Sequence, residues 1–190
     1  MSPGSAPAST EALVPEMGVR GIGHFEPLCG IGRSTAGVIS RVEAVHLEMF
    51  GSLEAVAQAK GELIEALPDD GVAVLNADDP VVAAMAARTS APVLTYGLAP
   101  TADVHASGVS LDSELRASFR LHTPWGEADV RPGARGAHQV PNALAAAAAG
   151  GGVGVPVEQI ALGLRIAALS GLRMELTTTP SGVIVINDAY

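Results

Sequence analysis

The chain has 190 residues, one domain of ordinary size or two small ones, enough to bury a core without disulfides or a structural metal. Its 20 acidic and 11 basic residues leave a formal charge of −9 without a basic run, which argues against nucleic acid and anionic membranes as partners. One cysteine, Cys29, rules out an internal disulfide, and with neither a signal-peptide pattern nor a long uninterrupted apolar stretch a soluble protein of a reducing cytoplasm is expected.

The first ten residues are mostly Ser, Pro and Ala without periodicity and are expected to be a disordered tail, leaving 11–190 to fold. An apolar, β-rich run at 36–42 predicts a buried strand. Over residues 52–67, Leu53, Val56, Ala57, Lys60, Leu63, Ile64 and Leu67 recur at helical spacing, with Ser52 as N-cap. Pro68-Asp69-Asp70-Gly71 is a turn by composition, 72–75 a short continuous apolar strand, and 80–88 a second helix opened by Pro80. A strand at 93–96 closes a strand–helix alternation that favours a parallel sheet.

Beyond Gly97 the pattern changes. Residues 103–110, 116–122 and 126–131 alternate polar with apolar and predict an antiparallel meander with one wet face. Helical character returns at 141–149 and 157–169, and 183–187 reads as a final strand. The predicted class is α/β: a mainly parallel sheet flanked by helices, with a small antiparallel β appendage.

Several polar groups could carry chemistry, and each alone has an ordinary explanation. Glu16 reads as a solvated carboxylate, His46 as a half-buried structural histidine, and Lys60 as a surface lysine pairing with Glu62 or Glu65. Asn76 to Asp79 suits a turn and helix cap, Arg173 an ion pair with Glu175, and Asp188 a cap at a strand end. Order and spacing add what the single residues lack. His46-Leu47-Glu48-Met49-Phe50-Gly51-Ser52, Ala59-Lys60-Gly61-Glu62, Gly71 through Asp79, His138-Gln139 with Asn142-Ala143-Leu144, Arg173-Met174-Glu175 and Asn187-Asp188-Ala189-Tyr190 together resemble the Mur ligases from about Leu13 to Tyr190. Glu16-Met17-Gly18 belongs to the same ordered set.

The resemblance implies that 11–190 is part of the central, ATP-binding domain of such a ligase. It implies ATP-dependent amide-bond formation in peptidoglycan precursor synthesis through an acyl phosphate, with UDP-MurNAc-peptide and D-alanyl-D-alanine as substrates. Hard Mg²⁺ wants oxygen ligands. By resemblance Glu16, His46 and Lys60 would surround it, with Lys60 carbamylated so that a cation becomes an anionic oxygen ligand, and Lys60 and His46 would be the catalytic groups. Asn142 would read adenine with Gln139 beside it, Arg173 would contact the phosphates, and Asp188 would accept from ribose. A related ligase such as another Mur enzyme or a folylpolyglutamate synthase, and a non-catalytic remnant that binds nucleotide weakly or contacts protein partners, are the alternatives the residues leave open.

Three departures qualify the match. No GxxxxGK[ST] phosphate loop occurs in the sequence, and the chain ends where the family continues into a further domain, so these residues are expected to be inactive alone. Arg41, Glu43 and Val45 are bulkier or charged substitutes beside the expected metal site, and Pro15 falls in what should be an interior strand. Gly150-Gly151-Gly152 and Gly154 would cost up to about 1 kcal/mol each if a helix ran through them, which suggests relaxed constraint. The runs at 38–42 and 183–186 are expected to lie in the parallel sheet beside an unfilled position, so that the chain self-associates or takes up a separately encoded N-terminal piece.

Overall fold

The computed structural model describes residues 9–18, 21–43, 50–167 and 174–188. They form two compact units, Met1–Leu75 with Asp79–Val93 and Asn76–Asp78 with Leu94–Tyr190.

In the first unit β1 (Ala36–Ile39) runs parallel to β2 (Val72–Asn76), Ala36 facing Val72 and Ile39 facing Leu75. Every residue of β2 is buried, as an apolar run covered on both faces should be. The strand expected over 36–42 stops at Ile39 because side chains take over its backbone partners: the Arg41 carbonyl accepts from Lys60 and the Val42 N–H donates to Asp79. Helix α1 (Phe25–Gly32) has no counterpart in the sequence reading. It contains a proline and two glycines, and its first turn is capped from far along the chain by Glu62, which accepts from Gly23 and Phe25.

Helix α2 (Leu53–Glu65) begins as predicted, with the Ser52 side chain accepting from the Ala55 N–H at 3.2 Å. Its buried residues Val56, Leu63 and Ile64 share a core with Phe25, Cys29, Ile39, Leu75, Val82 and Met85. The helix expected at 80–88 is one α turn, α3 (Pro80–Ala83), continued by a tighter 3₁₀ turn, Ala84–Arg88. Residues 11–18 are exposed but for half-buried Met17 and belong to no strand, so Pro15 interrupts nothing. The expected tail at 1–10 lies outside the described residues save its last two.

In the second unit β3 (Val93–Gly97) meets β4 (Val104–Leu111) in parallel over only two pairs, Tyr96 with Val104 and Gly97 with His105. A short connection replaces the usual helical crossover, so the overlap stays brief. From β4 the chain makes the predicted meander, antiparallel to β5 (Ala117–Thr123) and then β6 (Gly126–Val130), with a register shift around Gly108. Phe119, Leu121 and Val130 are buried, while Arg120, Glu127 and Asp129 face out.

Helix α4 (Gln139–Gly152) packs on β4 and β5, and α5 (Val157–Ile166) on β6 and α4. The three glycines end α4 rather than break it. A Cβ on Gly151 would stand 2.1 Å from Cζ3 of Trp125, so the missing side chain is where the indole sits, and the relaxed-constraint reading is corrected at that position. The run at 183–187 is also corrected. β8 (Ile184–Asn187) pairs antiparallel with β7 (Glu175–Thr178) in a separate two-stranded sheet, because Thr179-Pro180-Ser181-Gly182 turns the chain back, the Gly182 N–H donating to Thr179 O at φ 83°. The class is α/β with parallel strands, flanking helices and small antiparallel additions, as predicted.

Candidate functional site

Beyond the carboxyl end of β1 the first unit gathers its best-placed charged groups. Lys60, on the last half of α2, is half-buried and donates to the Arg41 carbonyl. Burial draws its ammonium below the ordinary lysine value, and the carboxylates of Glu43 and Asp79 offset part of that fall. The ordinary reading of Lys60 is therefore corrected: Glu62 is committed to the start of α1 and Glu65 to Arg88, and neither pairs with it. Arg41 and Glu43, bonded to each other at 2.8 Å, do stand beside Lys60, as the substitutions suggested. An amine whose charged form is disfavoured is neutral more often, and the neutral form is the nucleophile.

Asp79 is the junction of this cluster. One oxygen accepts from the Val81 and Val82 N–H groups at 2.9 and 3.2 Å and the other from Val42 at 3.0 Å, so one carboxylate starts α3 and holds the segment after β1. The sequence reading saw the cap and missed the second attachment; the adjacent pair Asp78-Asp79 after a buried strand was its only signal. Asp78 turns the other way, accepting from Leu98 at 2.6 Å above Gly97, where a Cβ would approach its Oδ1 to 2.8 Å.

The remaining candidates are distributed. Glu16 is exposed and is not among the charges acting on Lys60. His46 and Arg173 lie outside the described residues. Among the described residues no group of three or more His, Cys, Asp and Glu side chains is set to hold a metal. In the second unit Asn142 donates from its amide to Gln139 Oε1 at 2.9 Å on the first turn of α4, after a loop turned at Gly136 with φ 98°. The pair keeps a carbonyl acceptor on Asn142 and amide donors on both residues. Asp188 accepts from the Met174 N–H at 3.1 Å and so closes the open end of the β7–β8 hairpin.

Parallel strands with charged groups collected beyond their carboxyl ends define an α/β protein of the kind that binds ligands at that edge. The comparisons give the family. Residues 4–150 match the Mur ligase middle domain, and the chain belongs to that family. It is 47% identical over 95% of its length to the UDP-N-acetylmuramoyl-tripeptide--D-alanyl-D-alanine ligase of Mycobacterium bovis, and 42% identical over 80% to the UDP-N-acetylmuramate--L-alanine ligase of Stenotrophomonas maltophilia. It superposes on the crystal structure of MurF from Acinetobacter baumannii with a TM-score of 0.83 at 28% identity, covering 92% of this chain and 38% of that one. The chain spans 36% of the M. bovis relative and 33% of the S. maltophilia one. No described helix is long and apolar enough to cross a membrane.

Proposed function

We propose that these residues are the nucleotide- and metal-handling part of an ATP-dependent amide ligase of peptidoglycan precursor synthesis, one that joins D-alanyl-D-alanine to UDP-MurNAc-tripeptide. The observation that carries the reading is the setting of Lys60: half-buried, held by the Arg41 carbonyl, with its ammonium drawn down by burial beside two carboxylates. Its neutral amine is suited to add carbon dioxide, and the resulting carbamate offers oxygen where an ammonium would repel a cation. Glu16, His46 and carbamylated Lys60 are the residues that would hold Mg²⁺, a hard ion that takes oxygen ligands. When bound, the ion spreads phosphate charge.

On α4, Asn142 and Gln139 present the donor and acceptor pattern that an adenine edge requires. Arg173 is assigned to the phosphates and Asp188 to a ribose hydroxyl, which would compete with Met174 N–H for the carboxylate. Because the 190 residues hold no GxxxxGK[ST] loop, they are expected to bind nucleotide weakly by themselves and not to turn over.

The Lys60 reading is tested by ¹³C NMR in ¹³C-bicarbonate. A carbamate resonance that disappears in Lys60→Gln is expected. No resonance at saturating bicarbonate, or one that survives the substitution, would remove the support for a metal-binding Lys60.

A further inference from the structure

We infer that Ser107 and His122, with Glu127 positioning the histidine, form a nucleophilic site on the open face of the β4–β5–β6 meander that hydrolyses small carboxylic esters. The inference is independent of the ligase reading and uses none of its residues. Strand register builds the site. His122 stands between His105 and Glu127, and Arg120 between Ser107 and Asp129, so these side chains share one face of the sheet. Ser107 Oγ lies 2.7 Å from His122 Nε2, and His122 Nδ1 lies 3.0 Å from Glu127 Oε1.

The carboxylate decides where the protons are. Glu127 is held below its ordinary value by hydrogen bonds from His122 first and Arg120 second, so it is ionised at neutral pH and only accepts. Nδ1 therefore carries the ring hydrogen, Nε2 of the neutral ring keeps its lone pair, and the Ser107 hydroxyl donates to it. Hydroxyl, base and orienting carboxylate in that order make a serine nucleophilic.

The neighbours hold this geometry. Arg120 donates to the other oxygen of Glu127 from Nε and Nη2 at 3.3 and 3.2 Å and is itself tied to Asp129 at 3.0 Å. The His105 ring stacks on His122 with centroids 4.7 Å apart and planes 11° apart, and its Nδ1 lies 3.0 Å from the Ala102 carbonyl that orients it. Directly after Ser107, Gly108 at φ 62° and Val109 together oppose Phe119, a bulge of the sort that re-aims a side chain. Ser107 is exposed and lines a shallow depression of about 500 Å³ with Ser110, Ser118 and Arg131, room enough for a short acyl group. Water reaches this face and weakens the stabilisation of a developing oxyanion, so the substrates are esters, whose alcohol leaves readily, rather than amides.

In the reaction Ser107 Oγ adds to the ester carbonyl as its proton passes to His122 Nε2. The intermediate expels the alkoxide, which takes that proton and leaves as the alcohol. Water then adds to the acyl-serine, giving a proton to Nε2, and the carboxylic acid departs as that proton returns to Ser107.

Fluorophosphonate labelling of the 190-residue chain, read by peptide mass spectrometry, tests this, with p-nitrophenyl acetate as the turnover probe. The reagent forms a P–O bond at serine as P–F breaks and fluoride leaves with the hydroxyl proton. An adduct on Ser107 is expected, with Ser118, which accepts from Arg131 at 3.1 Å, left unmodified. Ser107→Ala should abolish turnover, and His122→Ala should slow labelling and p-nitrophenol release by about 100-fold. Glu127→Gln should lower kcat about tenfold or more with KM unchanged, a split that loss of packing alone would not give, and unchanged emission of Trp125 in each variant shows that the meander is intact. No adduct on wild-type Ser107, modification of Ser118 to the same extent, turnover surviving Ser107→Ala, or rates unaltered in both His122→Ala and Glu127→Gln would each overturn the inference.

Discussion

Gly61 lies on the face of α2 that receives Arg88. A Cβ built there would stand 1.8 Å from Nη1 and 2.1 Å from Cζ of the guanidinium. Arginine ends usually swing aside, but this one is held by three hydrogen bonds, from Nε to Glu65 at 2.9 Å and from Nη1 and Nη2 to the carbonyls of Ala57 and Gln58 at 3.2 and 3.1 Å. Alanine at position 61 would gain about 1 kcal/mol of helix propensity. It would lose the three bonds, about 1 kcal/mol each for neutral partners and less for the half-exposed Glu65 pair, so the balance is a destabilisation of about 1–2 kcal/mol. The sign depends on Arg88. In an Arg88→Ala background nothing occupies the space, and Gly61→Ala should stabilise by about 1 kcal/mol. Urea denaturation of the wild type, both single variants and the double variant measures the reversal. If Gly61→Ala stabilises the wild type, or its effect is the same in both backgrounds, the guanidinium is not what selects glycine.

Three further outcomes follow from the same geometry. Gly151→Ala should push Trp125 off α4, destabilise the chain by about 1–3 kcal/mol as overpacking does, and shift the emission of its only tryptophan to the red; unchanged emission would mean the indole does not rest on Gly151. Asp79→Ala removes one cap and the hold on Val42, and a loss of about 1–2 kcal/mol in thermal or urea melts is expected, against no change if solvent satisfies those N–H groups equally well. Glu127 is held below its ordinary value of 4.5 by hydrogen bonds from His122 first and Arg120 second. Its stabilisation is therefore present above the ordinary value and lost as pH falls through the lowered one, so the difference between wild type and Glu127→Gln in urea should be seen at neutral pH and vanish in acid; a difference independent of pH would contradict the shift.

Legibility followed the range of the interactions. The Ser52 cap, the buried run of β2 and the three meander strands rest on local patterns, and all were readable from neighbouring residues. Helix α1 was not, because its capping carboxylate, Glu62, lies 37 to 39 residues away and its own composition disfavours a helix. β8 was assigned to the wrong partner because an apolar run specifies a strand but not its neighbour; the turn at 179–182 decides that, and it was passed over. Lys60 was found through ordered motifs. Arg41 and Glu43 were read beside the site expected there, but the approach of Asp79 to Lys60 was not legible, since the segments at 41–43 and 79 converge on it only in the fold.

The central proposal, that these 190 residues contact nucleotide through α4, is met most directly by calorimetry with ATP, ADP and adenosine in the presence of Mg²⁺. Weak binding that differs little among the three ligands and is lost in Asn142→Ala is the predicted result. Tight binding that depends on the γ-phosphate, phosphate release on adding UDP-MurNAc-tripeptide, or binding indifferent to Asn142→Ala would contradict it.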